Sequence, residues 1–154
     1  MPDIFQEDFR DFLTALNDQE VKYVLVGGLA VVLHGPARVT GNMDIWVECT
    51  SENYHKLCKA FNQFQMPVFD MTLENFLGVG KNDVFSFGRN PVGIDILTSV
   101  KGVDFEEAFN LSEIYKAGDL SVRVIHINHL IAAKKASGRF KDLDDVEQLL
   151  KRRK

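Results

Sequence analysis

Gly27–Gly28 directly follows the apolar run Val21–Val26 and precedes Leu29–His34. Two glycines between a strand and a helix let a phosphate approach the backbone, and the unpaired N–H groups of the helix start point outward to meet it. Further along, Asn42 and Asp44 stand two apart at the head of Met43–Glu48. Strand pleating puts such a pair on one face. Two oxygen-bearing side chains there suit Mg²⁺, which prefers hard oxygen ligands and keeps waters and substrate phosphates as the rest of its shell. A tight turn followed by a solvated acid has the same composition, so spacing by itself does not choose between the two readings.

These residues need elements to hold them. Ile4, Phe5, Phe9, Phe12, Leu13 and Leu16 recur at helical spacing, which predicts an amphipathic helix over 4–18. Val21–Val26 is a buried strand, Leu29–His34 a helix ending near Gly35–Pro36, and Met43–Glu48 a second strand. On the latter, Asp44, Trp46 and Glu48 share one face and Met43, Ile45 and Val47 the other. Thr50 or Ser51 caps a helix over 52–64. The stretch from Asn62 to Lys81 reads as a strand plus a loop. Val84–Gly88 and Val92–Thr98 are paired strands across Arg89–Asn90–Pro91. Asp104–Phe109 is a short helix, Ile114–Lys116 and Val122–Ile127 are strands around Gly118–Asp119, and Asn128–Ser137 and Lys141–Leu150 are helices around Gly138. The pattern is α+β: a mixed sheet with helices packed mainly on one face, plus C-terminal helices.

The chain has 154 residues, 45% of them hydrophobic and 26% charged. That is the size and composition of one globular domain, here 1–154. The formal net charge is -4, which does not support a nucleic-acid partner, since such binding needs excess Lys and Arg to displace counterions. The basic run Lys151–Arg152–Arg153–Lys154 suits the C-terminal end of a helix dipole. Cys49 and Cys58 form neither a disulfide framework nor a zinc pattern, and a reducing cytoplasm is the expected location. No apolar run is long enough to span a bilayer, and the acidic N-terminus is no signal peptide.

The segment from Val24 to Val47 resembles the nucleotidyltransferase superfamily related to DNA polymerase β, in its small stand-alone form. The matching residues are Gly27–Gly28, His34–Gly35, Arg38, Thr40, the Asn42/Asp44 pair, and Asp95 in Gly93-Ile94-Asp95-Ile96-Leu97. The stretch His129-Leu130-Ile131, Lys134 and Gly138-Arg139-Phe140-Lys141-Asp142-Leu143-x-Asp145 is similar to one branch of these proteins. Together these cover about Val21 to Leu150. The resemblance implies a nucleotidyltransferase fold. It also implies transfer of a nucleoside monophosphate from a nucleoside triphosphate to a protein, RNA or small-molecule acceptor. Asp44 and Asp95 would be catalytic, and Asn42, Asp44 and Asp95 would hold Mg²⁺ or Mn²⁺. Gly27, Gly28, Arg38, Thr40 and Lys134 would face the nucleotide. Small relatives of this kind often resemble one half of a toxin–antitoxin pair, which would imply a protein partner.

The first acid of the family pair is Asn42 here. An amide carbonyl can ligate Mg²⁺ but brings no charge, so an alternative reading is a nucleotide-binding or partner-binding module with weakened or no turnover. Glu48 is a poor substitute, roughly 13 Å along an extended strand from the gap. Arg38 and Thr40 either meet a phosphate or order their loop. Lys134, Arg139 and Lys141 either form a basic wall facing the triphosphate or, for Lys141 with Asp142 and Asp145, make ordinary helix-surface pairs or an N-terminal turn; Lys134 is the functional candidate and the acids structural. His34 reads as packed or capping. His126 and His129 do not read as a metal site. Trp46, Phe85 and Phe87 read as core or sheet surface, with base stacking by Trp46 a minor option.

Overall fold

The computed structural model describes residues 6–36, 41–78, 83–89 and 92–153. The expected contacts of Arg38 and Thr40 fall outside them. Within the described residues, the order is α1 (Glu7–Asp18), β1 (Tyr23–Val26), α2 (Gly27–Leu33), β2 (Met43–Val47), α3 (Ser51–Gln63), α4 (Leu73–Phe76), β3 (Val84–Arg89), β4 (Val92–Leu97), α5 (Phe105–Asn110), β5 (Glu113–Ala117), β6 (Leu120–Val124), α6 (Ile127–Ser137) and α7 (Phe140–Arg152). The six strands form one mixed sheet in the order β3-β4-β2-β1-β6-β5. β1 runs antiparallel to β2 and parallel to β6, while β2 runs parallel to β4.

Local chemistry explains most boundaries. Thr50 and Asp104 accept from backbone N–H groups three residues on, capping α3 and α5. Gly138 takes the left-handed conformation that ends α6. β6 stops at Val124 rather than at Ile127, because the His126 ring accepts from the Asn128 amide and starts α6 there. The stretch after α3 holds no strand among the described residues. Thr72 instead caps the single turn α4, whose Phe76 is buried.

The two faces of the central strands differ. Cross-strand partners place Met43, Ile45, Ile94, Ile96, Phe85 and Phe87 on one face. That face is the dry core: Phe87 packs edge-on against Phe61 of α3, which in turn meets Phe12 of α1. The other face carries Asp44, Asp95 and Trp46. Trp46 is buried there under Phe105 of α5, with ring centroids 5.2 Å apart. It is therefore core on the functional face and cannot stack on an incoming base. No helix among the described residues is long and apolar enough to cross a membrane.

Candidate active site

Parallel pairing of β2 with β4 sets Asp44 directly opposite Asp95. Neither strand suffices alone, because the two acids are brought together only by the crossover through α3, α4 and β3. The two carboxyls lie against each other. Burial, the Asp95 charge and that contact push Asp44 from an ordinary carboxylate value up to about 7. Lys134 and Lys141 pull the other way but do not win. Oδ1 of Asp95 is buried and has no hydrogen-bond partner among the described residues. Oδ2 accepts from the Asn42 amide nitrogen at 3.3 Å. A carboxylate only accepts, so the amide must present its NH₂ to Asp95 and turn its oxygen away. That oxygen lies over Gly93, where a Cβ would come within 2.2 Å of it.

Gly27 fits this arrangement in two ways. Its φ is +70°, a conformation that costs L residues with a Cβ about 1–2 kcal/mol. A Cβ there would also sit 2.1 Å from Oδ2 of Asp44. The helix begins at Gly27 itself, so the first-turn amides of Gly27 and Gly28 lie beside the acid pair without intrahelical partners.

A cleft of about 380 Å³ opens next to the pair. Gly27 and Asp44 form its floor, while Leu97, Val100 and Leu130 make an apolar wall. Its far side is a charge cluster. Lys134 is buried with its ammonium 3.2 Å from both Asp142 and Asp145. Asp142 is only 1% exposed and also accepts from Ser137 at 2.6 Å and Arg139 at 2.7 Å. Burial works to raise the Asp142 pKa. The hydrogen bonds from Arg139, Ser137 and Lys134 outweigh it and hold the carboxyl down at about 2.

Asn42, Asp44, Asp95, Gly27 and Gly28 thus meet at one end of the sheet, and Lys134 faces them across the cleft. Ser99 and Lys101, on the turn after β4, also line the cleft and were not singled out from the sequence. The signal for them is Gly102. Its φ of +85° makes the turn, and a Cβ there would meet Ala136 of α6 at 2.7 Å. Glu48 does not reach the acid pair, since it is engaged by Lys22 at 3.6 Å and Thr50 at 3.1 Å. His34 caps α2 and its ring bonds the Ile125 carbonyl at 2.8 Å. Among the described residues, no three His, Cys, Asp or Glu side chains form a metal-sized group.

Nearly the whole chain superposes on two solved structures. It aligns with the lincomycin-bound lincosamide antibiotic adenylyltransferase LnuA at TM-score 0.57 and 16% identity, covering 98% of this chain and 99% of that one. It aligns with TM1012 from Thermotoga maritima, a candidate nucleotidyltransferase, at TM-score 0.55 and 14% identity, covering 94% and 91%. The chain therefore has the nucleotidyltransferase fold. No family model and no curated protein matches it by sequence.

Proposed function

We propose that the chain transfers a nucleoside monophosphate from a nucleoside triphosphate to a hydroxyl acceptor. The supporting observation is the Asp44–Asp95 pair. Two half-buried carboxylates are held together, Asp44 leaves room only for a glycine at position 27, and one Asp95 oxygen is buried without a partner among the described residues. Such a pair is poor for stability and suited to a divalent cation. Asp44 and Asp95 would hold Mg²⁺ or Mn²⁺, which supplies charge neutralisation of the triphosphate and of the entering and leaving oxygens. Gly27 and Gly28 leave room for the phosphates and offer backbone N–H groups. Arg139 is 74% exposed at the rim, where it can meet phosphate oxygens while Asp142 orients it. Asp95 or Asp44 would take the acceptor proton. The acidic net charge favours a protein or small-molecule acceptor over a long nucleic acid. A small helical toxin-like protein encoded next to this chain would argue for the protein acceptor.

Asn42 supports a second reading, in which the site binds nucleotide without turning it over. Two measurements separate them. A rise in melting temperature with Mg²⁺ and one triphosphate, lost in Asp44→Ala, supports the nucleotide site. Mg²⁺-dependent release of pyrophosphate or labelled transfer product supports turnover. Absence of any shift at millimolar triphosphate would sink both readings.

A further inference from the structure

We infer that this site holds one divalent cation by its own side chains, and that Asn42 is a positioning residue for Asp95 rather than a metal ligand. The inference rests on the reading of Asp44 and Asp95 as a cation site. The geometry of Asn42 carries it. Its NH₂ faces Asp95 at 3.3 Å, and its oxygen lies over Gly93. Turning the oxygen toward Asp95 would set acceptor against acceptor. Asp95 therefore has one oxygen tied by Asn42 and one orphaned oxygen available. With Asp44 alongside, the protein offers two charges, which one dication balances.

Among the described residues, no neighbouring acid makes up the missing charge. Glu48 is engaged by Lys22 and Thr50. Asp142 and Asp145, across the cleft, are neutralised by Lys134, with Arg139 adding to Asp142. Lys134 and Lys141 further make the field at Asp44 more positive. A second dication would have to be brought by the triphosphate and kept by its phosphates.

The test is a Mn²⁺ titration of the 154-residue chain without nucleotide, read by electron paramagnetic resonance and calorimetry. Native protein should bind one Mn²⁺ per chain. Asn42→Asp should bind two, with the signal broadened by spin coupling between neighbouring ions. Asn42→Ala should keep one, weakened by about tenfold, the usual loss for a group that orients a ligand. Two ions in native protein, one in Asn42→Asp, or complete loss of the site in Asn42→Ala would overturn the inference. If Asn42→Asp does not fold, the native and Asn42→Ala titrations decide it between them. Native protein that binds no Mn²⁺ at all overturns the cation site itself, an outcome distinct from a wrong ion count.

Discussion

Asp44–Asp95 and Lys134–Asp142–Asp145 face each other across one cleft, and both withdraw charge from water. They differ in how that charge is met. Asp142 receives Lys134, Ser137 and Arg139, and its carboxyl is held down at about 2. Asp44 receives another carboxylate, and its own is pushed up to about 7. The first cluster is closed: the fold supplies every partner. The second is open, and a cation or a proton must complete it. Buried charge that the fold leaves unbalanced is where function is expected, because nothing else in the structure is stabilised by it.

The contrast can be broken first at the closed cluster. Asp142→Ala removes one of the two partners of a buried ammonium and should cost about 3–5 kcal/mol, measured by urea denaturation. If stability changes by less than about 1 kcal/mol, the cluster is not closed in solution. The open pair should behave in the opposite way. Asp44→Asn should lower transfer by about 10³-fold, near 4 kcal/mol of barrier. The same variant should be more stable than native protein in metal-free buffer at pH 8, because a charge repulsion is gone. A less stable Asp44→Asn would mean the pair is internally satisfied.

The pH dependence should separate the two walls by sign. Asp44 has a folded pKa raised to about 7, so the folded state binds more protons than the unfolded one between about pH 4 and 7. Its contribution is fully present below the unfolded value and is lost as pH rises through about 7. The loss is bounded at about 4 kcal/mol and lessened by screening. Asp142 has a folded pKa lowered to about 2, so its contribution is lost as pH falls from about 4 toward 2. Denaturation in chelator against pH, repeated in Asp44→Asn and in millimolar Mg²⁺, checks this. Both changes should flatten the upper slope and leave the acid slope in place.

Gly27→Ala should cost about 1–2 kcal/mol for its backbone conformation, with added strain against Asp44, and should abolish the nucleotide-dependent rise in melting temperature. The smallest effect is at the rim. Arg139→Gln should change stability by under about 1 kcal/mol, since the side chain is exposed, while raising KM for the triphosphate. An unchanged KM would remove Arg139 from the phosphate side of the cleft.

Much of this was legible from local pattern. The helical spacing of Phe9, Phe12, Leu13 and Leu16, the cap at Thr50, the short helix after Asp104, the turn at Gly138 and the Gly27–Gly28 break all act within a few residues. The structure agrees with each of them. The stretch after α3 was not legible, because a lone turn such as Leu73–Phe76 has no period to read. Trp46 read as core or sheet surface and is core, but its cover was not legible, since alternation assigns a residue to a face and does not say that α5 returns over it. Ser99 and Lys101 were missed because they act from a turn placed by Gly102 against α6.

By itself the sequence determined which residues can do chemistry: two glycines after a strand, an amide and two acids on strands, and a lysine among aspartates on the last helices. Those are matters of residue type and short spacing. Only the tertiary structure decided which of those charges are balanced. Asp95 is 51 residues from Asp44 in sequence and directly opposite it in the sheet. Lys134 is closer to its own aspartates than to any phosphate site the sequence could name. Whether a buried charge meets an opposite charge or a like one depends on strand order and helix packing. These long-range arrangements are what make Asp142 structural and Asp44 available.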